Sequence, residues 1–253
     1  MAAVKRVAVP PLMQMASHPL RWTLLTALAS CDQRVRELAA AVGEPQNLVS
    51  YHLRLLRSAG LIDAHRSTFD GRDTYYRLNL TRCAVAFGEA AAALHPALAL
   101  GPPTKPARRS VLFLCTGNSA RSPMAEALLQ KHGQGRIRAS SAGSHPKAHI
   151  HRNAIRIMRD RYDIDLRGRR PQPLTAVARR RFDYVITLCD KVREYAIDRG
   201  VTTTMHWSLP DPSAVAGSGR ASYAEFDRLA TELDIRIEFL LPVLSADRGT
   251  QSS

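Results

Sequence analysis

Along the first eighty residues apolar positions recur with a helical period and then switch to alternation. Leu20, Leu24, Leu25 and Leu28 share one face of a helix over about 20–29. A second, shorter helix is expected over 35–42, with Leu38 and Val42 inward, and Gly43 makes the sharp turn that follows. A third is expected over 45–59, with Leu48, Val49, Leu53 and Leu56 inward and Gly60 closing it. Two short helices joined at a glycine form a helix-turn-helix. Leu61–Arg66 and Thr74–Leu78 then read as two strands around Asp70-Gly71, a β-hairpin or wing. The alanine-rich stretch 84–94, with Val85 and Phe87, reads as a helix with one apolar face.

The second half has a different rhythm. Val111–Leu114 is a short apolar run of the kind a buried parallel strand uses, and further strands are expected over 137–141, 184–189 and 202–207. Helical stretches alternate with them: one after Ser122, one over about 153–160, and a long amphipathic one that opens on the capping box Ser222-Tyr-Ala-Glu225. The long helix turns Phe226, Leu229, Leu233, Ile237 and Leu240 inward. Alternating strands and helices predict an α/β domain, a parallel four-stranded sheet with helices on both faces. Between the halves, 101–109 carries three prolines and three basic residues with no apolar period, a linker. The expected division is therefore a winged helix-turn-helix domain over 12–100, a linker over 101–109 and an α/β domain over 110–245.

Composition narrows the setting. A chain of 253 residues has room for two cores, and four cysteines are too few for a disulfide framework, which points to a reducing cytoplasm. Lys5 and Arg6 are followed by Pro10-Pro11 rather than by the apolar core of a signal peptide. The most apolar segment, 83–100, is interrupted by Glu89, His95 and Pro96, so no membrane span is expected. The net charge of +14 suits anionic partners, DNA or a small oxyanion, without deciding between them.

The candidate chemistry lies in the loop after the first strand of the second half, Cys115-Thr-Gly-Asn-Ser-Ala-Arg-Ser122. A loop between a strand end and a helix N-terminus turns the backbone N–H groups of Thr116, Gly117, Asn118, Ser119 and Ala120 toward one spot, an anion site. Cys115 and Arg121 close its two ends. The N–H groups, the guanidinium and the helix dipole favour a thiolate, so Cys115 is the expected nucleophile and Arg121 the bidentate holder of a tetrahedral anion. Ser122 is positioned to donate a hydrogen bond to the sulfur. In the first half, the outward face of the third helix offers Gln46, Asn47, Ser50, Tyr51 and Arg54 to base edges, and Arg66 and Arg72 on the wing suit backbone or minor-groove contacts with double-stranded DNA. Cys31 and Cys83 lack a metal-ligand spacing and read as buried or helix-end cysteines. His145, His149 and His151 read as solvated loop histidines, so no metal is expected.

These residues carry two resemblances. Cys115–Ser122, continued by Ser141-Ala-Gly143, Asp183–Cys189 and Pro210-Asp-Pro212, resembles the low-molecular-weight protein tyrosine phosphatases and, more closely, the arsenate reductases built on the same fold. The resemblance implies that Asp211 is the general acid and that Asn118 and Ser141 hold the loop. It implies too that Arg167-Gly-Arg-Arg170 lies beside the loop and helps attract anions. After Asp211-Pro there is no aromatic residue until Tyr223, where the phosphatases line a slot for a phenol ring. Cys189 stands where they carry an acidic residue, and His206-Trp207 matches the reductase pattern. Arsenate reduction through a Cys115–arsenate adduct is the implied activity, with no metal or organic cofactor. The alternatives are a phosphatase and an oxyanion-sensing regulator without turnover.

The thioredoxin-dependent reductases carry a third cysteine seven residues beyond the second; here that residue is Ala196. The reductant is then thioredoxin acting directly on a Cys115–Cys189 disulfide, or a small thiol with a glutaredoxin-like protein, the route that needs no residue this chain lacks. His18-Pro-Leu-Arg-Trp22, Arg36-Glu-Leu-Ala-Ala40, Leu48–Leu53 and Arg57-Ser-Ala-Gly-Leu61 resemble the ArsR-type winged-helix repressors, which implies DNA binding as a homodimer built on the terminal helices. The Cys-x-Cys pair many of those repressors use for arsenite is absent, its stretch being Glu37-Leu-Ala-Ala-Ala41.

Overall fold

The structure, a computed structural model, describes residues 9–67, 71–94, 108–198, 201–214 and 219–245. The chain divides into two compact units, the first of residues 1–66 and 73–103, the second of residues 67–72 and 104–253. Most of the expected linker (101–107) and Asp70 of the hairpin turn lie outside the described residues.

The first unit runs α1 (Pro11–Ala16), α2 (Pro19–Ser30), β1 (Gln33–Arg34), α3 (Val35–Val42), α4 (Gln46–Ser58), β2 (Ile62–Arg66), β3 (Thr74–Leu78) and α5 (Leu80–Leu94). Gly43 ends α3 at φ 70°, a left-handed conformation that costs glycine nothing, and its N–H closes on Ala39 O. The hairpin pairs Ile62 with Leu78 and Arg66 with Thr74, and β1 adds to the far edge of β3, giving the antiparallel order β1-β3-β2. Arg34 ties these parts together, bonding Glu37 of α3 at 2.7 Å and Asp73 at the foot of β3 at 2.9 Å.

One helix of this half was not expected and one reading changes. Pro11 opens α1, because the first helical turn has no use for the N–H proline lacks; Leu12 and Ala16 are then buried one turn apart. Leu48, expected inward, is 38% exposed. The buried stripe of α4 is Val49, His52, Leu53 and Leu56, and Leu48 sits about 100° off it. His52 is buried there with its ring 4.5 Å from that of His18.

The second unit runs β4 (Arg109–Cys115), α6 (Arg121–His132), β5 (Ile137–Gly143), α7 (Arg152–Tyr162), a short 3-10 turn (Leu174–Ala176), β6 (Tyr184–Thr187), α8 (Asp190–Asp198), β7 (Met205–His206) and α9 (Arg220–Ser245). Its four strands are all parallel in the order β5-β4-β6-β7. The connection through α6 leads one way from β4 and the connection through α8 leads the other way from β6. Right-handed crossovers then put these helices on opposite faces, α6 on β4 and β5, α8 on β4 and β6. β4 is the central strand, and Val111, Phe113 and Leu114 are fully buried. Phe226, Leu233 and Ile237 of α9 are fully buried against α6 and α7.

Three boundaries shift. β6 stops at Thr187, so Cys189 lies past the strand at the mouth of α8. The last strand shrinks to two residues. α9 begins two residues before the expected box, so Ser222 is not its N-cap but a buried hydroxyl that accepts from Asn153 Nδ2 at 2.9 Å. Among the described residues no helix is long and apolar enough to cross a membrane.

The corrected phase of α4 is open to a stability test. Leu53→Ala, which empties a fully buried site, is expected to lower unfolding free energy by about 2–5 kcal/mol. Leu48→Ala is expected to cost under about 0.5 kcal/mol. Denaturant titration of the two variants reads the difference, and equal costs contradict the assignment.

Candidate active site

The strand order reverses between β4 and β6, and the crevice outside the carboxyl ends of those two strands is where an open α/β sheet holds a ligand. Cys115 is the last residue of β4, and Cys189 follows β6 by two residues. Neighbouring parallel strands therefore carry both thiols to one crevice, and each is only 2% exposed.

The loop leaving Cys115 is shaped by its outward bonds. The carbonyls of Cys115, Thr116, Gly117 and Ser119 accept from the N–H groups of Ser144, His145, Lys147 and His151 at 3.3, 2.9, 2.9 and 2.8 Å. Within a peptide unit C=O and N–H point opposite ways, so fixing the carbonyls outward leaves the N–H groups facing the centre of the loop. Asn118 N–H reaches Cys115 Sγ at 3.2 Å, and Ser122 Oγ lies 3.0 Å from the same sulfur. Both contacts stabilise negative charge there. Asn118 adopts φ 42°, a left-handed conformation asparagine tolerates better than most residues. Its amide spans the loop, donating to Ser122 Oγ and Ser141 Oγ at 2.9 Å each and accepting from Gln172 N–H at 2.7 Å. Gly143 is required by close approach: a Cβ there would stand 2.7 Å from Thr116 O and 3.0 Å from Asn118 Cβ.

Arg121 opens α6 and is buried. Its Nη1 donates to Leu209 O at 2.9 Å and its Nη2 lies 3.2 Å from Asp211 Oδ2. Burial works against its charge, but Cys189 first, then Cys115, Asp211 and Asp190, favour it, and the guanidinium is held more firmly protonated than usual. Thr116 Oγ1 sits 3.3 Å from Cys189 Sγ, joining the second thiol to the loop. Asp211 is half-exposed; burial would raise its pKa, yet Arg121 and two bonds from Ser213, at 3.0 and 2.7 Å, hold it below the usual carboxylate range.

A polar cluster beneath Cys189 escaped the sequence reading. Asp190 is buried at the start of α8, with Ser208 Oγ 2.5 Å and His206 Nε2 3.3 Å from its Oδ1, while His206 Nδ1 meets Thr187 Oγ1 at 2.8 Å. Burial opposes its charge, and the bonds from His206 and Ser208 override it, driving the pKa well below the carboxylate range. A carboxylate in a helix's first turn is the signal the sequence did offer. Lys147 was missed as well: its side chain lies along Gly117, with its Cγ 3.4 Å from where a Cβ would stand. Of the three loop histidines, His145 and His149 are exposed as expected. His151 instead caps α7, accepting from Asn153 N–H at 3.2 Å, and stacks on Phe226 at 4.4 Å; burial, with Lys147 and Arg152, lowers its pKa.

In the first unit Gln46, Asn47, Ser50, Tyr51 and Arg54 are all exposed on α4, with the Arg54 guanidinium 5.6 Å from the Tyr51 ring centre. Arg66 and Arg72 are exposed on the hairpin. Cys31 caps α2, and Cys83 Sγ donates to Leu61 O at 3.4 Å, with burial pushing its thiol pKa up. Among the described residues one metal-competent group occurs, His132, Asp234 and Glu238, at the far end of α6 from Arg121; the 2.7 Å bond from His132 Nε2 to Asp234 Oδ1 accounts for it.

A family profile described as low molecular weight phosphotyrosine protein phosphatase matches residues 110–249, and one described as bacterial regulatory protein, arsR family, matches residues 18–64. The chain is 32% identical over 133 residues to an arsenate reductase of Bacillus licheniformis, a match covering 52% of this chain and 94% of that protein. It is 29% identical over 130 residues to an arsenate reductase of Bacillus subtilis, covering 51% and 91%. Among solved structures, an arsenate reductase in the phosphate binding state aligns with a TM-score of 0.44 at 28% identity, covering 54% of this chain and 99% of that one.

Asp190→Asn is expected to lower stability at pH 7 by about 1–3 kcal/mol, since it removes a bonded buried charge. A depressed folded-state pKa stabilises the protein above the ordinary carboxylate range, and the benefit is lost as pH falls toward the folded value. Wild type and variant therefore converge below about pH 4. Urea titrations across pH check this; a gap that stays constant from neutral pH to about pH 3 contradicts it.

Proposed function

Residues 110–249 make this chain a member of the low molecular weight phosphotyrosine protein phosphatase family, and from that premise we propose that its second unit is an arsenate reductase, fused to an arsR-family DNA-binding unit. The observation that carries the reading is the pair of buried thiols, Cys115 and Cys189, that share one buried guanidinium, Arg121. Hydrolysis of a phosphate ester uses one thiol; reduction of an oxyanion needs a second one to remove the first. The relatives named as arsenate reductases support the same reading.

The mechanism follows from the loop. Arsenate enters against the inward N–H groups and takes the Arg121 guanidinium from Leu209 O and Asp211. Asp211 thereby loses its cationic partner and meets a new negative charge, and both changes raise its proton affinity. It arrives at the acid form when the acid is required. The Cys115 thiolate attacks arsenic, an S–As bond forms, and a hydroxide leaves as water with the proton from Asp211. A second thiolate then attacks Cys115 Sγ. The S–S bond forms as the S–As bond breaks, its electron pair passes to arsenic, and arsenite departs. No metal or organic cofactor enters any step.

Two thiols suit the second attack. Sequence alone favours an external small thiol with a glutaredoxin-like partner, because Ala196 stands where a third cysteine would. The contact of Cys189 with Thr116 favours Cys189 itself, followed by reduction of the Cys115–Cys189 disulfide by thioredoxin or another external dithiol. The exposed polar face of α4 and the exposed Arg66 and Arg72 of the hairpin support double-stranded DNA as the partner. Trp22, Phe87, Val85 and Met13 leave an exposed apolar surface on α1, α2 and α5, with Trp22 edge-on to Phe87 at 6.5 Å, which fits a homodimer. We take the division as 12–100, 101–109 and 110–245, and the compartment as the cytoplasm.

Purified protein given arsenate and a thiol reductant is expected to release arsenite, and Cys115→Ser to abolish release while leaving DNA binding in a gel shift unchanged. Phosphate release from aryl phosphates without arsenite formation supports the phosphatase reading; neither product supports an oxyanion-sensing regulator. Cys189→Ser, assayed with thioredoxin and with a small thiol plus glutaredoxin, separates the routes. Loss of more than about a hundredfold with both is expected for internal attack; full turnover with the small thiol excludes it.

A further inference from the structure

Beside the catalytic loop runs a strap of residues 167–173. Its backbone is tied to the sheet through Gly143 N–H, which donates to Gln172 O at 2.8 Å, and to the loop through Gln172 N–H and Asn118 Oδ1. The basic run on this strap does not face the solvent as a block. Arg167 turns outward to Asp165, whereas Arg169 turns inward: its Nη1 meets Glu126 Oε1 at 3.0 Å and its Nη2 donates to Gln130 Oε1 at 3.1 Å, both on α6.

From Glu126 a continuous chain of bonds leads to the nucleophile, and the chemistry of each member fixes its direction. An ionised carboxylate only accepts, so Ser141 Oγ gives its one hydrogen to Glu126 Oε2, at 2.7 Å. Ser141 can then only accept from the loop, and it takes one hydrogen of Asn118 Nδ2. The other hydrogen of that amide goes to Ser122 Oγ. Ser122 has therefore received its bond, and its own hydrogen is left for Cys115 Sγ, 3.0 Å away. If the Asn118 amide turns over, its oxygen faces two hydroxyls, and the Ser122 hydrogen is drawn from the sulfur to that oxygen.

We propose that Arg169 is a positioning residue for the chemistry at Cys115, acting through Glu126, Ser141, Asn118 and Ser122. The Arg169–Glu126 pair anchors the accepting end of the chain, and both residues line a polar recess together with Asn118, Ser141 and Gln172. Arg169 touches neither sulfur nor oxyanion; what it governs is where the Ser122 hydrogen points, and so how well the loop supports charge on Cys115. The inference rests on Cys115 being the nucleophile and is independent of whether the substrate is arsenate or a phosphate ester.

The test is the pH dependence of Cys115 alkylation by iodoacetamide in the full-length protein, read at the Cys115 peptide by mass spectrometry. In Arg169→Gln the rate at neutral pH is expected to fall about fivefold and the curve to move to higher pH, with kcat falling and KM for the oxyanion little changed. Arg169→Lys, which keeps a cation against Glu126, is expected to recover most of the rate. Should Arg169→Gln fail to fold, Glu126→Gln takes its place, with the same shift expected. A curve that superimposes on wild type overturns the proposal. If wild-type Cys115 reacts no faster than an unstructured thiol, the catalytic reading and this one fall together. Fast wild-type alkylation with an unchanged variant removes the positioning role alone.

Discussion

Burying a guanidinium is costly unless negative or accepting groups surround it. The second unit buries Arg121 and then supplies Leu209 O, Asp211, Asp190 and two thiols around it. That one requirement orders the site. The loop must bend so that Cys115 at its start and Arg121 at its end face one another, Pro-Asp-Pro must return over the top, and the strand next to β4 must end near the same point. A guanidinium whose partners are a carbonyl and a carboxylate is also arranged to hold an anion, because an oxyanion offers acceptors of the same kind in a better geometry. Asp211, 3.2 Å from the guanidinium, balances part of its charge.

The sheet explains why these groups meet. In the order β5-β4-β6-β7 the chain leaves β4 and β6 in opposite directions, so the space between their carboxyl ends is not covered by either crossover. Cys115 and Cys189, far apart in sequence, fall there because the two strands are neighbours. The outward carbonyl bonds to residues 144–151 come from the turn after β5, the strand on the other side of β4. The central strand carries Cys115, one neighbour brings Cys189, and the other braces the loop.

What the sequence revealed follows from how local each feature is. Strand, loop and helix around Cys115–Ser122 are contiguous, so the type and spacing of eight residues were enough to place a thiol and a guanidinium at the two ends of one loop. Asp211 and Cys189 were reached only through resemblance, since nothing in Pro-Asp-Pro or in an apolar strand end points back to position 115. The Asp190–His206–Ser208 cluster, Lys147 over Gly117 and the Arg169–Glu126 pair were not visible, because each joins segments whose proximity the sheet order and loop packing decide. In the first unit the error at Leu48 has a plain origin. Leu48 and Val49 are both apolar, and His52, which fixes the phase of α4, is a polar residue that packs in the core against His18. Periodicity counted by polarity could not distinguish the two.

The central claim is that Arg121 is held by Asp211 until an oxyanion displaces it. Its most direct test is a crystal structure of Cys115→Ser with phosphate bound. Phosphate should sit within 115–122, with both Nη atoms of Arg121 on its oxygens, the bond to Leu209 O opened and Asp211 facing a phosphate oxygen instead. Phosphate bound elsewhere on this basic surface, with the Arg121–Asp211 pair unchanged and the loop empty, contradicts the account.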